Sequence, residues 1–131
     1  DLGSGAGFPG VVLAIFNHNK SLHVKLYEKS PVKRQFLQKI INKLELYASV
    51  LSNVYENEIN SEVIVCRAFK KLDQVIQVSR EISKIPHKLI VLKGKNAQEE
   101  LNKAFKNNKY PYKLEKSMTN EESQITIINF T

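Results

Sequence analysis

A glycine-rich turn at the start of the chain constrains the fold more than any other feature. Residues 1–10 are DLGSGAGFPG, with glycine at positions 3, 5 and 7. Glycine reaches backbone conformations that other residues avoid, and its missing Cβ lets a ligand come close. The apolar run Val11–Phe16 predicts a helix, with Pro9 at its first position. A strand, a glycine turn and a helix in this order are typical of a cofactor site at the carboxyl edge of a parallel sheet.

The spacing of the glycines separates two classes of cofactor. The dinucleotide pattern G-x-G-x-x-G would need a glycine at position 8, where the chain has Phe8. The third glycine is Gly7, which gives the G-x-G-x-G of methyltransferases that use S-adenosylmethionine. A tight turn without a ligand is the alternative, and a nicotinamide-dependent oxidoreductase is a weaker one.

Length and charge set the class of protein and its partners. A chain of 131 residues predicts one domain, residues 1–131. Its formal charge of +7 favours an anionic partner, RNA first, although scattered lysines also suit an ordinary polar surface. Cys66 is the only cysteine, which excludes an internal disulfide and fits the reducing cytoplasm. No apolar run approaches the roughly 20 residues of a membrane helix, so no membrane partner is expected.

Strands and helices alternate along the rest of the chain, which predicts an α/β fold. Helices are predicted over residues 30–44, from Leu72 to a stop near Pro86, and over Ala97–Asn107. The apolar stripe of the first of these helices is predicted to be core; it consists of Val32, Phe36, Leu37, Ile40, Ile41 and Leu44. Strands are predicted over Leu22–Glu28, Ser49–Glu56, Glu62–Arg67, Lys88–Gly94, Tyr112–Met118 and Gln124–Phe130, the last two antiparallel.

Two charged residues fall where these strands open onto the cofactor edge. Glu28 ends the strand after the glycine turn, and a carboxylate there commonly accepts hydrogen bonds from ribose hydroxyls. Arg67 ends a later strand. The alternatives are an ordinary surface acid for Glu28 and an ion pair or helix cap for Arg67. The three histidines and one cysteine show no metal-ligand spacing, so no metal is expected.

Four stretches together resemble one protein family. They are DLGSGAGFPGVVL at residues 1–13, EKSPVKRQFL at 28–37, CRAFKKL at 66–72 and VLKG at 91–94. In this order and spacing they resemble the RsmG (GidB) family of 16S rRNA guanine-N7 methyltransferases. The resemblance implies a class I, Rossmann-like methyltransferase fold with a mostly parallel seven-stranded sheet and an antiparallel C-terminal strand. It also indicates that the family's N-terminal helical segment and most of its first strand are missing, so we expect a fragment of a longer protein.

The resemblance also implies an activity and a set of partners. The family transfers a methyl group from S-adenosylmethionine to N7 of a guanine in the decoding-region loop of 16S rRNA. Guanine N7 has a free lone pair and no proton to remove, so the reaction needs positioning rather than a general base, and no catalytic residue is assigned. The expected partner is 16S rRNA or a precursor of the small ribosomal subunit, bound by a cytoplasmic monomer. The alternative is a truncated, inactive remnant that binds only cofactor or RNA.

The family's functional positions can be carried over residue by residue. The family usually has an acid at the position of Tyr55, whereas here the acid is Glu56, so either the register slips by one or backbone groups recognise the adenine. The candidates for RNA contact, chosen by charge and expected edge, are Lys70, Lys71, Lys93 and Lys95. The implied cofactor-binding residues are Gly3, Phe8, Val54, Tyr55 and Arg67, together with Gly5, Gly7 and Glu28.

Overall fold

The computed structural model describes residues 1–19, 21–56 and 58–131, which form two compact units, Asp1–Glu56 and Asn57–Thr131. None of the helices in these described residues has the length and apolar character to cross a membrane. In chain order the elements are α1 (Gly10–Ile15), β1 (Val24–Tyr27), α2 (Pro31–Leu44), β2 (Ala48–Leu51), β3 (Val63–Arg67), α3 (Leu72–Ile82), β4 (His87–Lys93), α4 (Ala97–Ala104), β5 (Tyr112–Lys116) and β6 (Gln124–Phe130).

The first unit is built on the parallel pair β1 and β2, whose register joins Val24 to Ala48 and Tyr27 to Leu51. Parallel strands need a crossover connection, which α2 provides. Leu2 forms a parallel bridge to Tyr27, so the start of the chain lies beside β1. Helices α1 and α2 cover the pair, and the buried core side chains are Val11, Ala14, Val24, Leu26, Leu37 and Ile41.

Helix α2 begins as its sequence predicts, but only part of its apolar stripe is core. Ser30 caps the helix, its Oγ accepting the backbone N–H of Lys33 at 3.4 Å, and Pro31 follows at the first position. Leu37 is fully buried, whereas Val32 is 76% exposed and Phe36 is 49% exposed. The prediction of a fully buried stripe is therefore wrong. The stripe is wider than the helix face that packs within this unit.

The second unit is a four-stranded sheet in the order β3-β4-β6-β5. Strands β3 and β4 are parallel, and β6 is antiparallel to both β4 and β5. This confirms the predicted antiparallel C-terminal pair. The described residues contain six strands rather than seven, because the segment expected to end the first strand contributes only the bridge from Leu2. Buried side chains of the helices and strands fill the core, including Leu72, Val75, Leu89, Val91, Leu101 and Ile128.

Several predicted boundaries differ from the observed ones. Helix α1 begins at Gly10, so Pro9 is the N-cap rather than the first helical residue. The predicted strand Ser49–Glu56 ends at Leu51, because Asn53 turns the chain and its Oδ1 accepts the N–H of Tyr55 at 3.1 Å. Helix α3 ends before Pro86, at Ile82, and α4 ends at Ala104, three residues earlier than predicted.

Candidate functional site

The glycine turn has the backbone conformation that its sequence predicts. Gly3, Gly5 and Gly7 have φ values of +69°, +57° and +101°, in the region that disfavours side chains. A Cβ on Gly7 would lie 2.5 Å from Cγ2 of Val11, so this glycine is needed for α1 to pack. A Cβ on Gly5 would meet nothing closer than 3.9 Å, at the carbonyl oxygen of Gly3. Gly5 therefore borders open space, as a ligand-facing position requires.

Hydrogen bonds hold the glycine turn against β1. The N–H of Ser4 donates to the carbonyl of Tyr27 at 3.0 Å, and the N–H of Tyr27 donates to the carbonyl of Asp1 at 2.9 Å. The Asp1 carboxylate closes the turn, since its Oδ2 accepts the N–H of Gly10 at 3.0 Å. The turn is thereby fixed at both ends, by β1 and by the first residue of α1.

Glu28 bonds directly to the glycine turn. Its Oε2 accepts the N–H of Gly5 at 2.7 Å, and its Oε1 accepts the N–H of Ser30 at 3.0 Å. Burial of the carboxyl opposes ionisation, but the hydrogen bonds from Ser30 and Gly5 and the charge of Lys33 outweigh it and lower the pKa of Glu28. Each carboxylate oxygen has a second lone pair, so two further donors can bind.

The turn after β2 approaches the same place through Glu28. The N–H of Glu28 donates to the carbonyl of Leu51, the last residue of β2, at 2.9 Å. Val54 in the following turn is buried and Tyr55 is half-exposed. Glu56 accepts hydrogen bonds from Ser52 Oγ at 3.1 and 3.2 Å, within the same turn. The first unit thus brings together the glycine turn, Glu28 and the turn that holds Val54 and Tyr55.

Phe8 directly follows Gly7 in the glycine turn, and its ring is half-exposed. The ring also lines an apolar groove of about 470 Å³ between α1 and α2. The groove is apolar apart from Lys43 and is lined by Ala6, Gly7, Phe8, Val11, Val12, Ile15, Phe36, Ile40, Lys43 and Leu44.

The remaining predicted residues belong to the second unit. Arg67 ends β3 and Lys93 ends the neighbouring parallel strand β4, so both lie at the carboxyl edge of this sheet. The ammonium of Lys93 pairs with Glu100 Oε2 at 2.8 Å and donates to the carbonyl of Lys70 at 3.3 Å. The side chains of the other three predicted RNA-contacting lysines, Lys70, Lys71 and Lys95, are exposed.

Comparison with known proteins identifies the family. A family model described as "GidB: rRNA small subunit methyltransferase G" matches residues 1–127. The chain belongs to the GidB family.

Curated GidB proteins match nearly the whole chain. The chain is 35% identical to ribosomal RNA small subunit methyltransferase G of Pelagibacter ubique, over 94% of this chain and 60% of that protein. It is 36% identical to the Rickettsia felis protein of the same name, over 95% of this chain and 64% of that protein. The chain therefore spans about three fifths of the length of these relatives.

Solved structures confirm the fold class. A putative rRNA-methylase from Clostridium thermocellum has a TM-score of 0.71 at 11% identity and covers all of this chain and 85% of that one. A methyltransferase from Aquifex aeolicus has a TM-score of 0.70 at 15% identity, over 98% of this chain and 79% of that one. This GidB chain thus has the Rossmann-like class I methyltransferase fold.

Sequence reasoning missed two supporting residues of this GidB chain. The sequence pattern marks Asp1 only as the end of a strand, although an acid two residues before G-x-G-x-G is a signal for capping the helix that follows the turn. Glu100 belongs to no motif. Its position in the first turn of α4, a few residues after the lysine that ends β4, is the feature that could have predicted the ion pair with Lys93.

Proposed function

We propose that this protein transfers a methyl group from S-adenosylmethionine to N7 of a guanine in 16S rRNA. The observation that carries the proposal is the match of residues 1–127 to a family described as rRNA small subunit methyltransferase G. The open glycine turn and the ionised carboxylate beside it support the proposal. A match over nearly the whole chain does not favour the alternative of an inactive remnant.

The residues of the glycine turn fit an adenosyl cofactor. Gly5 borders open space where a Cβ would otherwise lie, so a ligand can reach the backbone. Glu28 stays ionised and keeps lone pairs free, which is what a pair of ribose hydroxyls needs. Val54 and Tyr55 would flank the adenine. When bound, S-adenosylmethionine supplies a methyl group on a positively charged sulfur.

The residues of the chain have a positioning task in this mechanism. Guanine N7 carries an in-plane lone pair and no proton. The protein therefore needs only to hold the methyl group of the cofactor and N7 of the guanine in line. Gly3, Gly5 and Phe8 form the cofactor side of this arrangement, and Gly7 gives the turn its shape by packing against Val11. Arg67 serves as a further cofactor or phosphate ligand, since a cationic side chain would repel the cationic methylated base.

Substrate binding relies on positive charge. The net charge of +7 suits 16S rRNA, either free or within a precursor of the small subunit, bound by a cytoplasmic monomer. Lys70, Lys71 and Lys95 are exposed and available to RNA phosphates. Lys93 is a weaker candidate than its sequence indicates, because Glu100 already neutralises its ammonium.

A calorimetric titration with S-adenosylmethionine tests the cofactor, with NAD as the control ligand. Saturable binding of S-adenosylmethionine alone is the expected result. Binding of NAD instead would favour an oxidoreductase and contradict the proposal.

A transfer assay tests the reaction. Unmodified 16S rRNA is incubated with the protein and S-adenosylmethionine carrying a labelled methyl group, and 7-methylguanine is then mapped. We expect label at one guanine, and none with a variant that cannot bind the cofactor. Cofactor binding by a folded chain that leaves both free rRNA and small-subunit precursor particles unlabelled would favour the remnant.

A further inference from the structure

We propose that the amino edge of the second unit's sheet carries an additional RNA-binding surface. We call it the amino-edge patch; it consists of Arg80, Lys84, Lys106, Lys109, Tyr110 and Tyr112. This inference rests on the proposed rRNA substrate, and it adds a contact surface that the motifs of the chain do not mark.

The patch lies at the opposite end of the sheet from Arg67 and Lys93. His87, the first residue of β4, pairs with Phe130, and the N–H of Asn129 donates to the carbonyl of Pro111 at 3.0 Å. The segment leading into β5 therefore lies beside the end of β6, at the same end of the sheet as the start of β4. Lys93 ends the same seven-residue strand, which is roughly 20 Å long at 3.3 Å per residue. An RNA segment bound at the carboxyl edge would have to extend along the length of the sheet to contact the patch as well.

Positive charge is concentrated in the segment that forms the patch. Residues 101–114 contain four lysines and no acidic residue. Lys103 and Lys113 are paired with Glu99 and Glu115. Lys106 and Lys109 are exposed, and no ion pair engages either of them in the part of the chain that the structure describes. These two ammonium groups are available for phosphates.

The last turn of helix α3 and the residues that follow it add two further cations, Arg80 and Lys84. The guanidinium of Arg80 donates to the hydroxyl of Tyr110 at 2.6 Å and lies 5.4 Å from the centre of its ring. Lys84 Nζ donates to the carbonyl of Arg80 at 3.4 Å. The nearest acid on the helix, Glu81, accepts a hydrogen bond from Gln77 at 2.8 Å. Arg80 is thus held in place with donors left for a phosphate, since guanidinium has five N–H groups.

Two tyrosines supply the aromatic component. Tyr110 packs edge-on against Phe105 and Phe130, with ring centres 5.8 and 4.8 Å apart, and Tyr112 packs against Phe105 at 5.5 Å. Tyr112 remains 45% exposed. A rigid, half-exposed ring among cations suits an unstacked base beside its phosphates. A protein partner would instead need a larger apolar centre, which this patch does not offer.

The test compares two triple variants of the full chain that lower the net charge equally. The patch variant is Lys84→Ala/Lys106→Ala/Lys109→Ala. The control variant replaces three exposed lysines of the first unit, Lys25→Ala/Lys39→Ala/Lys43→Ala. Affinity for labelled 16S rRNA is measured at several salt concentrations, with polyglutamate as a second probe and S-adenosylmethionine titration as the check on folding.

We expect the patch variant to bind rRNA about tenfold or more weakly, with the control within about threefold of the parent. The slope of log affinity against log salt should fall by about 0.7 for each phosphate that the variant no longer neutralises. Tyr112→Leu should weaken binding about fivefold or more, because a base can no longer stack on the ring. Cofactor affinity should be unchanged in all variants.

Other outcomes would separate this inference from the proposed function. Equal rRNA affinity for the patch and control variants would overturn the inference while leaving methyl transfer intact. Loss of polyglutamate binding without loss of rRNA binding would assign the patch to an acidic protein and overturn it as well. A parent chain that binds rRNA through the patch but transfers no methyl group would contradict the proposed function alone.

Discussion

Single residues of the glycine turn divide into those that build the fold and those that face the ligand. Gly7 and Gly10 have no room for a Cβ, because it would lie 2.5 Å from a Val11 methyl carbon at Gly7 and would collide with Leu26 at Gly10. Gly5 has the room, with the nearest atom 3.9 Å away. A glycine that the fold does not need for space is a good probe of ligand binding.

We predict that Gly5→Val abolishes cofactor binding, with a loss of at least about a hundredfold, because the new side chain occupies the open face of the turn. A β-branched residue at φ +57° also costs about 1–2 kcal/mol of stability. Calorimetry gives the affinity and a thermal melt gives the stability. Gly5→Asn is the matched variant, since asparagine tolerates positive φ but still adds a Cβ. If Gly5→Asn kept full affinity, the turn would not be the cofactor site.

The lowered pKa of Glu28 predicts that the stability of the folded chain depends on pH. The pKa of this carboxyl is lower in the folded chain than the ordinary value of 4.5, so the unfolded chain binds the proton more readily. The stabilisation is present in full above about pH 4.5 and is lost as the pH falls below that value. Urea unfolding from about pH 7 to pH 3 should therefore show parent and Glu28→Gln converging in acid. A constant difference at every pH would mean that the charge of Glu28 contributes nothing.

At the scale of a single element, helix α2 shows that the side chains of an apolar stripe are not all buried in the core. One part of the stripe, with Leu37 and Ile41, packs on the parallel strands. The other part, with Phe36 and Leu44, borders the groove shared with α1 and is half-exposed. Periodicity identifies the apolar face of a helix, whereas the neighbouring elements decide how much of it is covered.

Two substitutions on α2 measure this difference. Leu37→Ala should destabilise the fold by about 2–5 kcal/mol, because Leu37 is fully buried and its removal leaves a cavity. Val32→Ala should change stability by no more than about 0.5 kcal/mol, because Val32 is 76% exposed. Chemical denaturation of both variants gives the free energies of unfolding. Equal effects would mean that Val32 is covered in solution.

At the scale of the whole molecule, the reactivity of the Cys66 thiol reports on unfolding of the protein. Cys66 is the only cysteine of the chain and is fully buried in β3. Burial raises the pKa of its thiol to about 12, because a thiolate cannot be solvated there. A thiol with such a pKa is unreactive while the protein stays folded.

We predict that a thiol reagent labels Cys66 only through unfolding. At about pH 8 the labelling rate should follow the global stability, so Leu37→Ala should accelerate it if the two compact units unfold together. Fast labelling of the native parent would contradict the buried thiol.

The raised pKa of Cys66 also predicts a pH effect on stability. The contribution of the protonated thiol to the free energy of unfolding is present in full below the pKa of the unfolded thiol, near 9, and is lost as the pH rises toward 12.

Sequence alone determined the elements whose signals are local. The three glycines, the Ser30–Pro31 helix start and the alternating strands predicted an α/β fold with a glycine turn, and the family resemblance implied the class I fold; the structure and the comparisons confirm both. These features depend on backbone conformation and on neighbours a few residues away, so a single sequence contains them. The family resemblance added the expected cofactor and substrate, which stay proposals for this chain.

Only the tertiary structure decided which side chains meet. It joined Glu28 to Gly5, Asp1 to Gly10 and Lys93 to Glu100, and it left Phe36 half-exposed. It also brought Arg80 against Tyr110, thirty residues away along the chain. Hydrogen bonds and burial depend on distances between segments that are far apart in sequence. No periodicity or spacing along the chain specifies those distances before the strands are paired.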